Sequence, residues 1–66
     1  MDTDTLVRMA NDIGKFFAAQ GDGAAAGIED HLRRFWDPRM RAEIIAFVRR
    51  GGHGLDPDVQ AAVQRL

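Results

Sequence analysis

Sixty-six residues bound this protein to one domain, 1–66, with a core too small to hold much on its own. A chain of this length buries only about 60% of the surface its unfolded form exposes, and its net stability is about 3–5 kcal/mol. Cysteine is absent, which excludes disulfides and thiolate ligation of metals or iron–sulfur clusters, and nine Lys and Arg against ten Asp and Glu lack the basic excess of a nucleic-acid binder.

The first helical segment runs from about Asp4 to Gln20. Leu6, Met9, Ala10, Ile13, Phe16 and Phe17 recur at three- and four-residue spacing and share one face. Thr3 is the expected cap, since its hydroxyl can accept a free N–H of the first turn. Asp4 adds a negative charge where the helix dipole favours one, and Gly21 ends the segment. A second segment spans about Gly23 to Phe35 behind an Asp22 cap, with Ala24, Ala25, Ile28, Leu32 and Phe35 apolar. Glu29–Arg33 and Asp30–Arg34 stand acid before base at four-residue spacing, the favourable order on a helix. Gly27 weakens that helix by about 1 kcal/mol relative to alanine, and its missing side chain lets a neighbouring helix approach closely.

The third segment has the strongest start: Asp37 at the cap and Pro38 at the first helical position, where its absent N–H is not missed. Met40, Ile44, Phe47 and Val48 form its stripe, with Ile45 on the flank. Arg49 and Arg50 complement the dipole of the last turn, and Gly51-Gly52 stops it. Asp56-Pro57 repeats the device for a fourth segment lined by Val59, Ala62, Val63 and Leu66. Nothing alternates with period two, so the fold class is all-α: a small bundle of three to four short helices.

Enzymatic parts are missing. Ser, Cys and Tyr are absent, and the two threonines lie in a disordered-looking N-terminus, so no activated nucleophile can be built. Gly51-Gly52-His53-Gly54 precedes a helix already capped, and reads as a turn and hinge rather than a phosphate cradle. His31 borders the apolar stripe of the second segment and is expected to pack there. His53 is expected to be solvated. No histidine pair has the three- or four-residue spacing of a helical metal site.

The most distinctive stretch is Arg33-Arg34-Phe35-Trp36-Asp37-Pro38-Arg39-Met40-Arg41. Arginine and large aromatics dominate interface hot spots because they bury much area and bond in fixed directions. Arg33, Arg34, Phe35, Trp36, Arg39, Met40 and Arg41 are therefore the candidate partner-binding residues. The competing reading is that Phe35 and Trp36 fill the core while the arginines stay hydrated or pair with Asp30, Asp37 and Glu43; both hold if Trp36 anchors the fold. Eight of the nine cations are arginine, which suits partly desolvated ion pairs, although a GC-rich genome gives the same bias. A small helix-turn-helix nucleic-acid-binding protein is the alternative; the negative net charge and the lack of Asn, Gln or Ser beside the arginines oppose it.

No apolar run approaches the roughly 20 residues of a membrane span, and the acidic Met-Asp-Thr-Asp start does not resemble a signal peptide. The expected location is the cytoplasm, without membrane or nucleic acid as partner. Exposed apolar stripes, the first segment's above all, allow a homodimer when the chain is alone.

Three blocks carry a family resemblance: Leu6 to Phe17 (LVRMANDIGKFF), Gly27 to Ile44 (GIEDHLRRFWDPRMRAEI) and Gly51 to Leu66 (GGHGLDPDVQAAVQRL). They resemble the delta subunit of soluble, NAD-dependent, molybdenum-containing formate dehydrogenases, with HLRRFWDPRMR as the most specific element. The resemblance implies a non-catalytic accessory subunit or assembly factor. Its expected partner is the catalytic alpha subunit or the sulfur-transferring chaperone that inserts the cofactor. It also implies that bis-molybdopterin guanine dinucleotide (with molybdenum or tungsten), iron–sulfur clusters, FMN and NAD belong to the larger subunits, and that this chain binds none of them. Contact between the arginines and the phosphates of that cofactor is a further expectation, since guanidinium forks pair well with phosphate.

Overall fold

Each of four helices turns a narrow apolar stripe inward, and the stripes meet in one core. A computed structural model of the protein describes residues 2–66. The helices are α1 (Thr3–Ala18), α2 (Ala24–Phe35), α3 (Pro38–Arg49) and α4 (Pro57–Gln64), with no strand among the described residues. The all-α bundle expected from the spacing is thus the fold. α1 gives Leu6 and Ala10 to the core, α2 gives Ile28 and Leu32, α3 gives Ile44, and α4 gives Val59, Ala62 and Val63. Trp36 and Leu55 enter from the connecting segments. α1 and α4 each meet all three other helices, whereas α2 and α3 meet chiefly through them.

The helix ends follow local chemistry with some shifts from expectation. Asp2, not Thr3, caps α1: its Oδ1 accepts the Thr5 N–H at 2.7 Å. Both threonines therefore lie inside a helix rather than in a disordered segment, and the Thr3 hydroxyl donates to Glu43 Oε2 at 2.7 Å, tying α1 to α3. Gly21 and Gly23 adopt φ of +94° and +86°, a region that a residue without Cβ enters freely. Gly23, not Asp22, is consequently the cap of α2, and no side chain bonds there. Asp37 and Pro38 start α3 as expected, with Asp37 Oδ1 accepting the Met40 N–H at 2.8 Å. Asp56 stands at the start of α4, but its carboxylate caps nothing. Asn11 of α1 stabilises that turn instead: its Oδ1 accepts the Asp56 N–H at 3.0 Å, and its Nδ2 donates to the Gly54 carbonyl at 2.9 Å.

Two glycines inside helices set how closely the helices approach. A Cβ on Gly27 would fall 2.5 Å from Cδ1 and 2.7 Å from Cε1 of Phe17, so α2 takes the Phe17 ring of α1 against its backbone. Gly14 does the same in reverse, receiving a Val59 methyl of α4 where a Cβ would stand. No helix formed by the described residues is long and apolar enough to cross a membrane.

Candidate docking surface

The arginine-rich turn between α2 and α3 divides into residues that hold the fold and residues that face outward. Trp36 is in the core, only 4% exposed. It follows Phe35 directly, and the chain leaves the helix between them: Trp36 has extended backbone, φ −87° and ψ 136°, ahead of the Asp37 cap. That change of direction sends one aromatic inward and leaves the other, Phe35, 71% exposed. Phe35 therefore does not belong to the inward stripe of α2, where the spacing placed it. Met40 is half-buried against the core.

The arginines part in the same way. Arg41 is half-buried, and its guanidinium donates to the Trp36 carbonyl and, at 3.3 Å, to the Arg33 carbonyl. The last carbonyls of a helix have no partner within it, so Arg41 closes the end of α2. Arg33 donates to Glu29 at 3.1 Å and to the Arg65 carbonyl at 2.6 Å, while Arg65 approaches Glu29 at 3.5 Å, linking α2 to the chain beyond α4. Arg34 meets Asp30 at 3.0 Å with both side chains mostly exposed. An ion pair in water contributes little, so Arg34 is free to exchange its partner. Arg39 is exposed and lines a shallow depression with Leu6, Asp37, Met40 and Glu43. Of the seven candidate residues, Arg34, Phe35 and Arg39 thus stand outward without a structural duty.

Phe35 is not alone on the surface. Its ring lies 4.7 Å from that of His31, which lies 6.2 Å from Phe17, which meets Phe16 edge-on at 5.2 Å. Separations of this size and tilted or edge-on geometry are those aromatic rings favour. His31 packs against the flank of α2 as expected, but among outward rings. Phe16 is 62% exposed, although the spacing put it beside Phe17 on the inward face. Consecutive helical residues point about 100° apart, so Phe16 and Phe17 flank the inward direction unequally, and Phe16 falls on the outer side.

No polar or charged side chain among the described residues is buried, and no cluster of three or more His, Cys, Asp or Glu stands ready for a metal ion among them. The carboxyl of Asp2 is held below the ordinary aspartate range, first by the Thr5 backbone N–H and then by the Thr5 side chain. His53 is exposed in the glycine turn. What the arrangement offers is adhesion: an aromatic row beside exchangeable charges.

A family model described as NADH-dependent formate dehydrogenase delta subunit, FdsD, matches residues 5–63. No curated protein and no solved structure matches the chain.

Proposed function

Because the chain belongs to the delta-subunit family of NADH-dependent formate dehydrogenases, we propose that it serves that enzyme as a non-catalytic accessory subunit or assembly factor. It acts by binding the catalytic alpha subunit, or the chaperone that inserts the alpha subunit's cofactor. The family match over residues 5–63 carries this reading. Formate oxidation, the bis-molybdopterin guanine dinucleotide, the iron–sulfur clusters, FMN and NAD belong in this reading to the larger subunits, in the cytoplasm. A chain without cysteine offers no thiolate to a cluster. Its small core also gains from a partner, as small domains commonly do. The outward residues of the α2–α3 turn, Arg34, Phe35 and Arg39, supply the types that interface hot spots favour.

The test is capture of the tagged chain from cells that co-express the formate dehydrogenase subunits. Co-elution of the alpha subunit or its chaperone is the expected result. Recovery of the chain alone, or with nucleic acid, would overturn the reading. The amount of chain in the purified active enzyme then separates two roles: equimolar for a structural subunit, far less for a factor that leaves after assembly.

A further inference from the structure

The row Phe16, Phe17, His31, Phe35 crosses from α1 to α2 on the outside of the bundle. Neither Phe16 nor Phe35 belongs to the core, so the fold does not account for their placement. We infer that this row is the part of the chain that enters its partner, seated in an apolar recess of a larger formate dehydrogenase subunit that carries no excess of charge. The inference rests on the accessory-subunit reading and names the chemistry of its contact.

Charge fixes the character of the recess. Asp12 and Lys15 stand one helical turn before and directly beside Phe16, and Asp30 and Arg34 stand directly beside His31 and Phe35; all four are exposed. Two acids and two bases cancel, and Arg34 already has Asp30 within 3.0 Å. An acidic partner would meet Asp12 and Asp30, and a basic one would meet Lys15 and Arg34. The matching surface is therefore apolar at its centre and balanced at its rim, the usual anatomy of a well-buried interface.

Area separates a larger partner from a second copy of the chain. Phe16 and Phe35, 62% and 71% exposed, offer together roughly 270 Å², at about 200 Å² per ring. A stable interface buries about 800 Å² per partner. The chain measures only 29 × 23 × 19 Å, too little to wrap around a second copy of itself. Two copies touching at the row alone fall far short of that area, whereas a recess in a larger subunit can enclose the rings and gather Met9 and Ile13, on the same stripe of α1, around them.

The experiment compares the tagged wild-type chain with variants in cells expressing the formate dehydrogenase subunits, washed at about 0.1 M and about 1 M salt. Wild type should keep its partner at both. Phe16→Gln and Phe35→Gln should each weaken association roughly 30-fold, their combination should abolish capture, and His53→Gln, in the exposed glycine turn between α3 and α4, should bind as wild type. Far-UV circular dichroism and melting of the purified variants establish that they remain folded, and Phe35→Leu, which keeps the apolar contact, should retain binding. Release of wild type by high salt, or undiminished capture of the double phenylalanine variant, would overturn the inference while leaving the accessory role standing. So would a purified wild-type dimer that the double variant turns to monomer, because a second copy would then cover the row. Failure of wild type to capture any subunit or the chaperone at low salt would overturn the accessory role itself.

Discussion

α1 packs against two neighbours by the same device with opposite consequences. Toward α4 it presents a glycine, Gly14, and a Val59 methyl occupies the space of the missing Cβ. Toward α2 it presents a ring, Phe17, and Gly27 of α2 makes the room. The first contact is sealed: Gly14 and Val59 are both buried, and valine is stiff about its one side-chain torsion. The second lies at the rim, where Phe17 is half-buried and begins the row that leads outward through His31 to Phe35. A missing side chain thus makes a fixed core joint on one side and supports an accessible surface on the other.

Substitution at Gly14 should break this contrast most visibly. Gly14→Ala drives a methyl into Val59 where neither group can yield; overpacking of about 3 kcal/mol, less about 1 kcal/mol gained in helix propensity, leaves a net cost of about 2 kcal/mol. For a domain this small that corresponds to a fall in melting temperature of roughly 10 °C in a thermal denaturation experiment. Val59→Ala added to Gly14→Ala should recover part of the loss, and a double-mutant cycle should show coupling of about 1 kcal/mol or more. Strictly additive effects would show that the two helices do not meet as described.

Gly27→Ala should do much less to stability. Alanine gains about 1 kcal/mol in helix propensity, and the Phe17 ring can swing toward solvent to relieve the clash at 2.5 Å. The expected net change is within about 1 kcal/mol of zero. The ring currents that His31 reports by NMR should nevertheless shift, because Phe17 is its neighbour. A Gly27→Ala loss as large as that of Gly14→Ala would mean that Phe17 is as fixed as Val59.

The smallest effect should come from Asp2, which caps the helix common to both contacts. The Thr5 N–H lowers its carboxyl below the unfolded value, so its contribution is fully present above the unfolded pKa and is lost as pH falls through the folded one. Asp2→Ala should therefore melt slightly earlier than wild type near neutrality, with the gap closing in the acid range. A gap that widened on acidification would reverse the assigned cause.

Most of the fold was legible because its punctuation is chemical and local. Asp37-Pro38 and Asp56-Pro57 mark the starts of α3 and α4, and the acid-before-base pairs Glu29–Arg33 and Asp30–Arg34 form as their spacing predicts. What escaped was tertiary. Gly27 drew notice because it interrupts a helix, but nothing beside Gly14 in the sequence announces that Val59, 45 residues later, will need its space. Arg41 reads as one more outward arginine until the end of α2 is seen to lie within its reach. Apolar periodicity also put Phe35 on the stripe of α2, and both Phe35 and Trp36 stood among the candidate docking residues. The extended residue between two helices separates them, and only the backbone path reveals which one faces inward.

Asn11 has a consequence for how the molecule assembles in time. α4 has eight residues, below the length at which a helix holds by itself in water, and its Asp56 makes no side-chain cap. The side-chain bonds that hold the turn leading into it come from Asn11 of α1, 45 positions before Asp56 in the chain. Its formation therefore waits on tertiary contact: burial of Val59, Ala62 and Val63 in the core, and the Asn11 bonds that set the turn before it. Hydrogen exchange in the last helix should thereby report its docking on the rest of the bundle rather than its own helical propensity.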